Sequence, residues 1–283
     1  MKLATLRTPD SSTITTAAVL DTDGAYPISA VPDVLALLRL DPAERQDRIA
    51  QAMAGSPLPS DSLDYATVIP NPGKVLCIGL NYRNHIAEVK LEEPKYPTIF
   101  AKFASSLTGP NDSIEIPTED HRIDYEGELA VVIGTAGRRI APEDAAAHIA
   151  GYAVSNDISM RGYQGRTSEW LQGKCWDAST PVGPWLVTPD EFVDGARITT
   201  KVNGQVVQDD STNDLVFSVT ELVSYISAMT ELQPGDIILT GTPAGVAVSR
   251  KDENGRRPWL KEGDILETSI EGLGTSRLTF HNQ

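Results

Sequence analysis

The sequence predicts an α+β fold, mainly β and largely antiparallel, with a small α/β section at its front. Two observations carry this. Short β-branched or apolar runs bounded by Gly, Pro, Asn and Asp recur along the chain and outnumber the helix-period segments. Their alternation with helical segments is too irregular for a barrel of parallel β/α units, and no internal repeat is visible. A chain of 283 residues can bury a full-sized core, in one large domain or two smaller ones.

From the front, "KLATLR" and "TTAAVLD" read as strands joined by polar turns such as "DTDG". A helix is expected from Asp41, where "DPAE" supplies an N-cap acid, a proline at the first helical position and Glu44 three residues on. Gly55 is a natural stop. The Gly/Pro/Ser-rich connector "GSPLPSDS" follows, and the expected division is a front section over 1–68 and a main domain over 69–283. In the main domain "KVLCIGL" and "DYEGELAVVIG" read as strands, and "PEDAAAHIA" as a helix running into the strand "GYAVSNDIS". "KVNGQVV" sets Asn203-Gly204 between apolar residues, a strong hairpin signal. "SVTELVSYISAM" opens with a capping box, Ser218 and Glu221, and puts Leu222, Ile226 and Met229 on one helical face. "GDIILTGTPAG" and "GDILETSIEGLGTSRLTF" are strands punctuated by glycine turns.

Composition narrows the function. Apolar residues make up 40% of the chain, with no run approaching the ~18 of a membrane helix, so a soluble globular protein is expected. "MKLATLRTPD" shows no apolar core after Lys2; no secretory signal is read, and the cytoplasm is the expected compartment. Cys77 and Cys175 are too few for a disulfide framework and lack metal-motif spacing, which leaves free, buried thiols. A net charge of −15 argues against nucleic acid or an anionic membrane surface as a partner.

The chemistry starts from acids in unexpected places. In "DYEGELAVVIG", Glu126 and Glu128 share one face of an apolar strand, either as a solvated face or as a functional pair. In "GYAVSNDIS", Ala153, Ser155 and Asp157 share a face, which sets an acid in small, apolar company. Three carboxylates within ~5 Å would repel by roughly 3 kcal/mol per pair at an effective dielectric of 20, and a divalent cation resolves that conflict. All-oxygen ligation favours Mg²⁺ or Mn²⁺ and leaves positions for water or substrate. Such a site sums to −1, so an anionic substrate needs basic neighbours. Lys102, Arg161 and Lys174 are the candidates, each otherwise an ordinary surface charge. In "GLNYRNHIAE", His85 and Glu88 lie three apart, as a surface ion pair or as an oriented imidazole base.

The blocks "GLNYRNHIAE", "FAKFASSLTGPND", "DYEGELAVVIG", "GYAVSNDISMRGYQ", "QGKCWDASTPVGPW" and "LQPGDIILTGTPAGV", in this order, resemble the fumarylacetoacetate hydrolase family over about residues 70 to 280. The resemblance implies a mixed β-sheet roll, an accessory domain over 1–68, a Mg²⁺ or Mn²⁺ cofactor, a homodimer, and activity on a small dicarbonyl acid. It implies Glu126, Glu128 and Asp157 as metal ligands and His85 with Glu88 as a lid dyad. Lys174 becomes the active-site lysine, and Tyr82, Lys102, Arg161, Gln164 and Thr242 substrate contacts. Met160 and Gly162 around Arg161, and Cys175 after the lysine, depart from the family pattern and put substrate identity in doubt. The expected reaction is hydrolysis of a carbon–carbon bond in an acylpyruvate-like or other β-dicarbonyl acid, in aromatic or sugar-acid catabolism. The alternatives are an oxaloacetate-type decarboxylase, a hydroxymuconate-type isomerase, or a non-catalytic metal-binding oligomer. His85, Glu88 and Lys174 together count against the last.

Overall fold

The computed structural model describes residues 1–8 and 11–283. Among these, a ten-stranded sheet runs in the order Gly24–Pro27, Ser11–Asp21, Lys2–Thr8, Thr180–Val187, Ile149–Asn156, Gly127–Ile133, Ile237–Leu239, Val75–Gly79 and Thr98–Lys102, with Leu107–Thr108 attached to Thr180–Val187. A five-stranded sheet runs Gln205–Ser211, Arg197–Val202, Ile265–Ile270, Gly274–Asn282 and Ser113–Ile116. A short ribbon pairs Ile123–Asp124 with Ser159–Met160. Pairing is mainly antiparallel, with parallel exceptions at Ile237–Leu239 on Val75–Gly79, Ser113–Ile116 on Gly274–Asn282, and Leu107–Thr108 on Thr180–Val187. The α+β, mainly β class expected from the strand signals is the one the chain forms.

The strand Gly127–Ile133 is buried along its whole length, which explains its unbroken apolar run. Its alternate residues enter different cores. Ala130 and Val132 join Ala153, Val182 and Val75 on one face; Leu129 and Val131 join Val154, Ile198 and Ile270 on the other, where the second sheet lies. Residues 1–68 are part of this same packing. Lys2 pairs with Val187, and Leu3, Ala17, Val34 and Leu37 sit in the cluster that holds Ala130 and Val182. The connector "GSPLPSDS" is pinned to the sheet edge where Leu58 bridges Ala25.

The Pro42–Met53 helix starts as expected, with Asp41 accepting from the Ala43 amide at 2.9 Å. A second helix, Val34–Arg39, precedes it under an Asp33 cap; six residues are too few for a helical period to stand out in the sequence. "PEDAAAHIA" does not form the α-helix expected of it. Only a 3₁₀ turn over Ala145–His148 fits, because Ile149 must already pair with Ile133 in the sheet. The capping box of Ser218 and Glu221 opens the Val219–Met229 helix, but the buried stripe is Leu222, Val223, Ile226 and Ser227. Met229 lies 54% exposed at the last residue of that helix and is not part of the core-facing stripe. Asn203 and Gly204 adopt the left-handed conformation (φ 51° and 79°) that a two-residue hairpin requires. No helix among the described residues is long and apolar enough to cross a membrane.

Candidate active site

Glu126 precedes the strand Gly127–Ile133, Glu128 is its second residue, and Asp157 follows the strand Ile149–Asn156. Antiparallel pairing sets Ser155 opposite Glu128, and the Asp157 amide donates to the Glu126 carbonyl at 2.8 Å. One carboxylate oxygen from each of the three acids lies within 4.8 Å of the others, and all three residues are buried. The residue between the glutamates has no room for a side chain. At Gly127 a Cβ would stand 2.3 Å from Thr200 Oγ1 of the second sheet. The alternation that turns Gly127 toward that sheet turns both glutamates away from it.

Cations from the chain surround the acids. Lys174 Nζ donates to Glu126 Oε2 and, at 2.9 Å, to Asp157 Oδ2; Lys102 Nζ donates to Asp157 Oδ1 at 2.6 Å. Arg161 donates to Glu126 Oε1 at 2.6 Å, Asp124 Oδ2 at 2.8 Å and Gln164 Oε1 at 2.7 Å, one bond from each nitrogen. Burial opposes ionisation of Glu126, but Lys174 and Arg161 outweigh it and hold its pKa at about 2. Glu128 moves the other way. Burial, then the charges of Asp157 and Glu126, push it well above the usual carboxylate range. Burial would lower the Lys174 pKa, yet Asp157 and Glu126 raise it, so the ammonium stays charged. Glu128 Oε2 accepts from the Gly241 amide at 2.8 Å, a contact set by the left-handed φ of 100° at Gly241. Its Oε1 makes no hydrogen bond among the described residues. Three crowded carboxylates, of which Glu128 is both pushed toward its neutral form and left with a free oxygen, fit a hard divalent cation.

His85 and Glu88 occupy the short helix Arg83–Glu88, with Nδ1 of the imidazole 3.1 Å from Glu88 Oε2. Glu88 also accepts from the Gly245 amide at 3.1 Å, which fastens the helix to the loop after Ile237–Leu239. A cavity of about 150 Å³ lies between these groups. His85, Glu126, Glu128, Arg161, Gln164, Lys174 and Thr242 form its polar wall; Ile78, Val89, Phe100, Trp170 and Val248 form an apolar one.

Two of the expected substrate contacts lie elsewhere. Tyr82 is fully buried in the core against Leu215, its hydroxyl without a partner, and is not part of the cavity wall. Lys102 has a fully buried side chain, bonds to Asp157 and is not part of the cavity wall. The sequence reading missed Asp124 and Gln208. Asp124, 0% exposed, accepts from Arg161 and from the amides of Tyr125, Ala247 and Val248, so it joins the acid cluster to the segment that brings Val248 to the cavity. Its place two residues before Glu126 was the available signal. Gln208 accepts from the Gly127 amide at 3.0 Å and donates to Thr242 Oγ1 at 2.8 Å, fixing that hydroxyl. Nothing in its exposed-looking strand pattern marks it.

Residues 74–281 match the family described as "Fumarylacetoacetate (FAA) hydrolase C-terminal". The chain belongs to the fumarylacetoacetate hydrolase family. It is similar to the mitochondrial oxaloacetate tautomerase FAHD2A of Bos taurus, 45% identical over 221 residues, which are 77% of this chain and 69% of that protein. Two solved structures overlay the whole chain. The 5-carboxymethyl-2-hydroxymuconate delta-isomerase from Mycobacterium smegmatis is 30% identical with a TM-score of 0.78, covering 100% of both chains. The maleylpyruvate hydrolase from Sphingobium sp. SYK-6, solved with manganese(II) and pyruvate, is 28% identical with a TM-score of 0.81, covering 100% of this chain and 99% of that one.

Proposed function

We infer that this chain is a Mg²⁺- or Mn²⁺-dependent tautomerase of small 2-oxo acids, interconverting the enol and keto forms of an oxaloacetate-like dicarboxylate. The observation that carries this is the cavity. At about 150 Å³ it is well below the ~300–1,000 Å³ of pockets for drug-sized ligands, and it brings a Glu-oriented histidine face to face with a cation-lined acid cluster. The bovine relative named oxaloacetate tautomerase supports the same reading.

A divalent cation held by Glu126, Glu128 and Asp157 would supply Lewis-acid stabilisation of the negative charge that develops on the enolate. The chain's own groups do the rest. Glu88 occupies His85 Nδ1, so Nε2 is the atom left to exchange a proton. In the keto-to-enol direction Nε2 takes the proton from C3, the C–H electron pair becomes the C2=C3 bond as the C2=O π pair moves onto oxygen, and the imidazolium then gives that proton to the C2 oxygen. Lys174, held by Glu126 and Asp157, serves as a fixed cation beside the developing charge. Arg161 and Gln164 hold the rim beside Glu126. The closed helix Arg83–Glu88 keeps bulk water from the enolate.

Carbon–carbon hydrolysis is the second reading, favoured by the same dyad, which could deprotonate water, and by the likeness to the maleylpyruvate hydrolase. One experiment separates them. With Mn²⁺ the protein should accelerate ketonisation of enol-oxaloacetate, and His85→Ala should lower that rate by ~10²- to 10⁴-fold. No acceleration over buffer sinks the tautomerase reading; release of acetate and pyruvate from acetylpyruvate, followed by NMR, would install the hydrolase instead.

A further inference from the structure

We propose that Trp170 sets the length of acid the site accepts, confining it to compounds about the size of a four-carbon 2-oxo dicarboxylate. The proposal rests on the reading that the ligand is a 2-oxo acid. The charged side chains lining the cavity hold the carboxylate end of such a ligand, and the apolar side chains that line the rest of it limit the room left for its other end. Trp170 carries the largest side chain in that wall. Its indole packs closely against the strand end at Gly79, where a Cβ would stand 2.3 Å from Cζ3, and it meets Phe100 edge-on with centroids 5.6 Å apart at 72°. The strand and the phenyl ring therefore hold the indole from two sides. Trp170 is half-buried, and the residues just before and after it, Glu169 and Leu171, are exposed. Truncation there opens the cavity toward solvent instead of leaving a sealed void.

Hydrophobic pockets discriminate by about 10- to 200-fold per methylene-sized change, which sets the scale of the effect. The test compares wild type, Trp170→Phe and Trp170→Ala, each with Mn²⁺, for calorimetric binding of oxalate, acetylpyruvate and benzoylpyruvate. Wild type should bind benzoylpyruvate poorly. Its affinity should rise about 10-fold or more from wild type through Phe to Ala, while oxalate, which never reaches the apolar wall, changes by less than about 3-fold. Equal benzoylpyruvate affinities across the series, or losses for all three compounds together, overturn the proposal. Trp170→Phe keeps an aromatic packed on Gly79 and carries the comparison if the Ala variant does not fold. Because binding is read without turnover, a shifted selectivity with no tautomerase activity would uphold this inference and refute the reaction, and the converse result would do the reverse.

Discussion

Glu128 is the residue on which the acid cluster turns. Glu126 and Asp157 each have their oxygens taken by lysine or arginine, whereas Glu128 has a single backbone donor and lies next to two like charges. Relief of that repulsion should appear as stabilisation: at free Mn²⁺ about 100 times its Kd, the protein gains ~2.7 kcal/mol in unfolding free energy. Glu128→Ala should erase the gain, as read from melting temperatures with and without the ion, and an undiminished shift in the variant would dissociate this residue from the metal. The two glutamates and Asp157 were legible in the sequence because strand alternation is a strict rule. A carboxylate on the face of an apolar strand stands out from its neighbours. Tyr82 and Lys102 were misplaced because position along the chain fixes neither depth nor direction. Tyr82 precedes a helix that carries His85 over the cavity, yet its own ring points down into the core.

Among the elements, the N-terminal strand Lys2–Thr8 is joined to the rest of the chain by charge as well as by pairing. Arg7 donates to Asp64 at 2.8 Å and to Asp112 at 2.7 Å, and Asp112 also accepts from Thr108 and the Gly109 amide, both at 2.7 Å. Partial burial would raise the Asp112 pKa, but the bonds from Arg7, Thr108 and Gly109 win and lower it below the ordinary value. A carboxyl more acidic in the folded than in the unfolded chain adds stability above its unfolded pKa and loses it as pH falls through the folded one. The stability gap between wild type and Asp112→Asn should thus be constant near neutrality and shrink below about pH 4; a gap that persists into stronger acid would assign it to shape and not to charge. The strands and the Asn203-Gly204 turn could be read from local pattern. The 3₁₀ turn at Ala145–His148 could not, because its length is dictated by a pairing partner at Ile133 that no local window contains.

Across the molecule, the front 68 residues complete a sheet and a core instead of standing beside them. A chain beginning at residue 69 would lose Leu3, Ala17, Val34 and Leu37 from around Val182 and Leu186, and would bare the edge of the Thr180–Val187 strand. Such a fragment should aggregate or melt without cooperativity by calorimetry, and a sharp reversible transition would establish the division at residue 68 as a true domain boundary. The acid cluster sits deep in this body with Lys102, Lys174 and Arg161 beside it. Proteins whose fold is built on a metal collapse in chelator. Here the polypeptide brings its own counterions, so a chelator should leave the framework standing. One preparation should then survive being emptied and refilled with successive divalent ions, which lets them be ranked on the same sample.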